Sequence, residues 1–237
     1  MPFRFDEHQD THPFVDFSRG HYLNVTPLHI FGFNRSIATS FETIFNDGGG
    51  IYSFPSSALV LSLVSSAADT CVVCVYGLDS DWLEISENVT LTGTTPVTTT
   101  KSFFRVNGAY VVSGTQSGNV SITNNGTKYA YIEAGTGVSQ ACVLSTSATK
   151  SAYISNVSFT SGTVNSNKYL TGRAYYKENG KAAQNFWEST WAIGQAVFNL
   201  SVPFKLPPKT DFMLEAKSSS SDNEIAVYIN GFVIDNE

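Results

Sequence analysis

Cys71 and Cys74 are spaced as Cys-x-x-Cys, a pattern that metal sites and redox centres share. Here the residues between them are Val72 and Val73, and the run CVVCVY reads as a buried strand. At roughly 3.3 Å per residue the two α-carbons of such a strand stand about 10 Å apart, beyond the ~7 Å limit for a disulfide. Their side chains point to opposite faces. Cys142 is the only other cysteine, so inert, buried thiols are expected.

The histidines, His8, His12, His21 and His29, all lie at or before position 29. A Ser-His-Asp site needs a histidine held rigidly between its partners, and the strand-rich remainder of the chain has neither a histidine nor a Gly-x-Ser-x-Gly elbow. His8 and His12, with Asp6, Glu7 and Asp10, would share one face of a helix and form a metal site, but Pro13 disfavours helical geometry at His12. Asp79, Asp81, Glu84 and Glu87 supply the acids that glycoside hydrolysis needs in facing pairs; solvation of a sheet rim is the ordinary use of such a cluster. Gly48, Gly49 and Gly50 lack the following Lys-Ser/Thr of a phosphate loop and read as a turn. No catalytic, cofactor-binding or metal-ligating residue is expected, and hence no cofactor and no enzymatic activity.

Aromatic residues remain as candidates for binding, because exposed aromatics concentrate interaction energy. Before residue 31, Phe3, Phe5, Phe14, Phe17 and Tyr22 alternate with acidic residues, while Pro2, Pro13 and Pro27 interrupt any regular period. This segment reads as an extended N-terminal arm over residues 1–30 whose rings lie on a partner. Phe186, Trp187 and Trp191 are the candidate exposed surface in the second half, with core or subunit interface as the alternative; Phe186 and Trp187 are expected to face opposite ways on a strand.

The elements that would position these residues are strands. Leu59–Val64 is apolar on both faces, as in the centre of a sandwich. Leu83, Ile85, Val89 and Leu91 alternate with polar residues, and Glu87 falls on the apolar side as a bulge or rim residue. Residues 31–57 read as a joint, with strand alternation resuming at Ile51–Phe54. Asn124-Asn125-Gly126-Thr127 predicts a tight hairpin, as does Glu178-Asn179-Gly180-Lys181. Beyond the boundary at Gly135-Thr136-Gly137, strands are predicted at 139–146, 151–161, 168–177, 182–190, 196–204, 211–218 and 224–235. The expected fold is all-β: two closely packed antiparallel sandwiches of jelly-roll or immunoglobulin-like type, at 31–135 and 136–237.

Composition narrows the classes further. Charged residues are 14% of the 237 and the net charge is -6, a balance that argues against the phosphate neutralisation on which nucleic-acid affinity depends. No apolar run approaches the roughly 20 residues needed to span a bilayer, and the opening MPFRFDEHQDTH has no hydrophobic signal core.

The run FNRSIATSFETIF (33–45), its Asp-Gly-Gly turn and Ile51-Tyr52-Ser53-Phe54-Pro55 resemble structural proteins of tailed bacteriophages, marine ones especially. The resemblance continues through Gly77-Leu78-Asp79, residues 84–91, Ser102-Phe103-Phe104-Arg105-Val106 and Ala109-Tyr110-Val111, and returns weakly at 203–211. It implies a virion protein assembled in the host cytoplasm. In the reading preferred here, it is a capsid decoration or cement protein that bridges neighbouring shell subunits. The alternatives are a tail-associated fibre, adaptor or knob component, or a receptor-binding lectin-like module. The implied partners are the major capsid protein or the tail and portal proteins, together with further copies of the chain as a homo-oligomer such as a trimer.

Overall fold

The computed structural model describes residues 15–16, 19–20, 22–46, 49–162, 168–192, 194–220 and 223–236. Its described residues form sixteen strands, all paired antiparallel. They build two sandwiches, and the all-β expectation holds.

The first sandwich packs a four-stranded sheet on a three-stranded one. The larger sheet has the order β6-β3-β8-β9, made of β3 (Leu59–Ser65), β6 (Val97–Phe103), β8 (Val120–Asn124) and β9 (Thr127–Ile132). The smaller has the order β5-β4-β7, made of β4 (Val72–Leu78), β5 (Glu84–Thr90) and β7 (Arg105–Ser113). Between them Leu61, Leu63, Val73, Val75, Phe103 and Ile122 are buried at 5% exposure or less. The β8–β9 turn is made by Asn125 at φ 48° and Gly126 at φ 81°, the two positive angles that the Asn-Gly pair predicts. β6 and β7 are separated by Phe104 alone, where the chain turns the corner from one sheet to the other.

The second sandwich packs the sheet β1-β16-β11-β14 on the sheet β10-β15-β12-β13, to which β2 is added through β15. Its strands are β1 (Val25–Ile37), β2 (Glu42–Thr43), β10 (Val143–Ser145), β11 (Lys150–Ser161), β12 (Tyr169–Glu178), β13 (Gln184–Ala192), β14 (Gln195–Leu206), β15 (Thr210–Ser218) and β16 (Asn223–Asp235). Ile37, Ile44, Ile154, Phe159, Phe212 and Ile229 lie in its core.

The division of the chain differs from the expected one. The segment 25–46 does not belong to the first sandwich: β1 pairs with β16 along Val25↔Ile234 to Asn34↔Ile225, and β2 pairs with β15. The arm therefore ends near Asn24 rather than at residue 30. Pro27 obscured this strand in the sequence, yet it is tolerated because β1 is a sheet edge, where one side of the ladder needs no donor. The first sandwich is thus an insertion within the second. Its entry and exit run side by side, joined by the Phe45↔Ala141 bridge and by Cys142 N–H donating to the Ile44 carbonyl at 2.8 Å. Ile51–Phe54, expected as a strand, is irregular; Tyr52 nonetheless anchors in the first core, with Phe45, Phe54 and Tyr129 around it.

Candidate functional site

The acids around Asp79 have structural partners. The Asp79 carboxylate accepts the N–H groups of Asp81 and Leu83, each at 2.9 Å, closing the β4–β5 turn. Glu84 pairs with Lys150 at 2.8 Å. Glu87 accepts the backbone N–H groups of Thr100 and Lys101, both at 2.8 Å, and the Thr100 hydroxyl at 3.0 Å. The β4–β5 register runs through Glu87 without a shift, so this residue is a rim clamp between the two sheets and not a bulge. Burial raises its carboxyl pKa, but the Thr100 and Lys101 hydrogen bonds outweigh that and leave it lowered.

His8, His12 and His21 lie outside the described residues. His29 stacks on Tyr228 with a centroid distance of 5.9 Å, and its Nδ1 is 2.9 Å from the Asn230 carbonyl oxygen Oδ1. Cys71, Cys74 and Cys142 are free and buried, and burial raises the thiol pKa of Cys71 and Cys142. Among the described residues, no group of three or more His, Cys, Asp or Glu side chains is placed to hold a metal ion.

Two other sites stand out by geometry. One is the seam between the sandwiches. Arg105, at the start of β7, reaches Asp211 of β15 through two hydrogen bonds, Nε to Oδ1 at 2.6 Å and Nη2 to Oδ2 at 2.8 Å. Its Nη1 donates to the carbonyls of Pro55 and Phe104, both at 2.8 Å, while Ser145 Oγ donates to Asp211 at 2.6 Å. The guanidinium lies 3.9 Å from the Phe104 ring centroid and 4.7 Å from that of Trp82. Both side chains are nearly inaccessible, at 8% and 4%. A buried bidentate pair tolerates little change in orientation, so this contact locks the two sandwiches in one pose. The sequence contains Phe104-Arg105 as a recognisable motif, but nothing in it links Arg105 to an acid 106 positions away.

The other is the flank where β13 and β14, each at the end of its sheet, face one another. A small apolar cavity of about 50 Å³ lies there, lined by Ala174, Phe186, Trp187, Phe198, Leu200 and Phe204 among others. Phe186 and Trp187 both line it, because the β12–β13 ladder passes from Ala174↔Trp187 to Tyr175↔Asn185 and leaves Phe186 as an extra residue. Such a bulge re-aims a side chain, which overturns the expectation that these two rings face apart. Phe186 is 38% exposed and stacks on Phe204 at 3.9 Å. Trp187 and Trp191 are half-buried and pack on Phe159 at 5.8 and 4.7 Å, at the margin of the second core. Of the arm rings, Phe3, Phe5, Phe14 and Phe17 lie outside the described residues. Tyr22, 36% exposed, lies just before β1, where Asp235 N–H donates to the Asn24 carbonyl at 2.9 Å.

The flank also contains apolar residues that sequence reasoning did not single out. β11 and β14 pair at Ile154↔Phe204 and next at Asn156↔Asn199, so Leu200 to Pro203 stand opposite Ser155 alone. This looped-out stretch leaves Val202 80% and Leu200 37% exposed. Pro203 was the available signal, since proline within a strand marks an edge or an irregularity.

No family model matches the chain, and no curated protein matches it. The solved structures it is similar to include several of infectious bursal disease virus. With the Gt strain it shares 10% identity at a TM-score of 0.21, covering 89% of this chain and 75% of that one. With the D431N mutant VP2 protein in T=1 particles the identity is 10% and the TM-score 0.21, over 96% and 80%. With the Gx strain they are 10% and 0.22, over 89% and 77%. Similarities of this size carry no assignment of function.

Proposed function

We propose that the chain is a non-catalytic virion structural protein, a capsid decoration or cement protein that stabilises a phage head by bridging neighbouring shell subunits. The observation that supports this reading is the interlocked body itself: one sandwich inserted in the other, with the Arg105–Asp211 pair buried at their seam. A protein that resists internal pressure needs a unit that transmits load without a hinge, and close-packed cores of low compressibility provide it. Several segments that carry the sequence resemblance to tailed-phage structural proteins build this joint, including Phe104-Arg105, Gly77-Leu78 and the stretch around Asp211. The N-terminal arm supplies the reach across a subunit boundary, and assembly takes place in the host cytoplasm.

The test is the number of copies per particle, measured by quantitative mass spectrometry of purified virions against the major capsid protein. A ratio between one to one and one to a few is expected. A dozen or fewer copies per particle would overturn the cement reading and move the protein to the tail or portal vertex. Binding to host-surface glycans that is lost on Trp187→Ala would favour the lectin-like reading instead.

A further inference from the structure

The β13–β14 flank leaves apolar side chains uncovered. From Gln195 to Phe204 the strand has no charged side chain, and Val197, Leu200 and Val202 are exposed by 47%, 37% and 80%. Soluble proteins guard edge strands with charge, and an unguarded apolar edge marks an association site. The bulge at Leu200 to Pro203 makes β14 irregular, and Leu200 lines the same cavity as Phe186 and Phe204. The occupant is therefore a side-chain knob rather than a paired strand.

The chain itself contains a matching segment. Residues 1–14 lie outside the described structure and include Phe3 and Phe5, which one intervening residue places on the same side of an extended chain. The arm joins β1, the edge strand opposite β14 in the same sheet. The 24 residues before Val25 span at most about 80 Å, far more than the roughly 15 Å width of four strands. One edge of the sheet thus emits the segment that the opposite edge lacks, a head-to-tail arrangement that closes into a ring or propagates.

We propose that the slot between β13 and β14 receives Phe3 and Phe5 from the arm of a second copy of this chain. The cavity is smaller than the roughly 150 Å³ of an engineered cavity that admits benzene, so the exposed Phe186 ring swings off Phe204 as the knob enters. The inference deepens the structural reading above by naming a partner. It is tested on purified protein, whereas that reading is tested on particles, so the failure of one is distinct from the failure of the other.

The experiment is light scattering after size exclusion on four proteins: the full chain, the chain lacking residues 2–14, Val202→Asp, and the two changes combined. The full chain is expected to be oligomeric. Each single change should weaken association by about tenfold or more, and the combination should add little further. Val202 is exposed, so its substitution leaves the fold intact, which an unchanged Tm verifies. In a second arm, Phe5→Cys with Leu200→Cys is oxidised; the three native thiols are buried, so covalent dimers and higher species report contact between copies. A monomeric full chain, an unchanged mass after truncation or after Val202→Asp, or cross-linking within single chains only would overturn the proposal.

Discussion

At the residue scale, the described carboxylates discussed above act as ties between backbone segments. Asp69 acts in the same way. It accepts the Ser65 hydroxyl at 2.7 Å and the N–H groups of Gly118 and Ser117, each at 2.9 Å, holding the β3–β4 connection to the β7–β8 loop. The Ser65 hydrogen bond foremost, then those of Gly118 and Ser117, lower its pKa to about 2 from an ordinary value of 3.8. A folded-state value below the unfolded one means that the contribution to stability is complete above about pH 4. It is lost as the pH falls through 2. Asp69→Asn should therefore lower Tm at pH 7, and its deficit relative to the parent should shrink between pH 4 and pH 2. Thermal melts across that range would check this; a deficit independent of pH would show that Asp69 acts by shape alone.

At the element scale, the strands after residue 135 were nearly all legible, because alternation and turn residues act locally. The predicted stretch 151–161 is β11, and 211–218 lies within β15. The first-half hairpin at Asn125-Gly126 was legible for the same reason. Sheet membership was not legible: β1 and β2 find partners near residues 225–234 and 215, and nothing local to Val25–Ile37 specifies a partner some 200 positions away. Bulges were hidden too, since Phe186 and Trp187 have ordinary strand spacing until the ladder skips one of them. Gly77 illustrates a constraint that only the pairing reveals. A Cβ there would meet the Arg105 carbonyl oxygen at 1.9 Å, next to the register shift between β4 and β7. Gly77→Ala should cost about 1–3 kcal/mol by displacing β7. Urea unfolding would measure it, and a change below about 0.5 kcal/mol, the range of ordinary surface substitutions, would mean that the strand yields without strain.

At the scale of the whole molecule, the question is whether two sandwiches of this size unfold together. The core of the inserted sandwich continues across the seam: Phe45, Val143 and Met213 come from the outer sandwich or its connections yet pack in it. The Arg105–Asp211 pair adds a contact that cannot be released without exposing or orphaning a charge. A chain of 237 residues with two separate cores would ordinarily melt in two steps. The continuity and the buried pair together predict one calorimetric transition, with the van't Hoff and calorimetric enthalpies nearly equal. Arg105→Met leaves Asp211 buried with only its Ser145 hydrogen bond among those described here, and removal of one partner from a buried pair costs about 3–5 kcal/mol. That loss falls on the seam rather than within either core. The variant should therefore melt in two resolved steps, with the inserted sandwich separating from the outer one, while Arg105→Met combined with Asp211→Asn, which removes the stranded charge, should recover part of the coupling. If the parent protein already melts in two transitions, the seam does not couple the sandwiches, and the rigid-body basis for a load-bearing role fails with it.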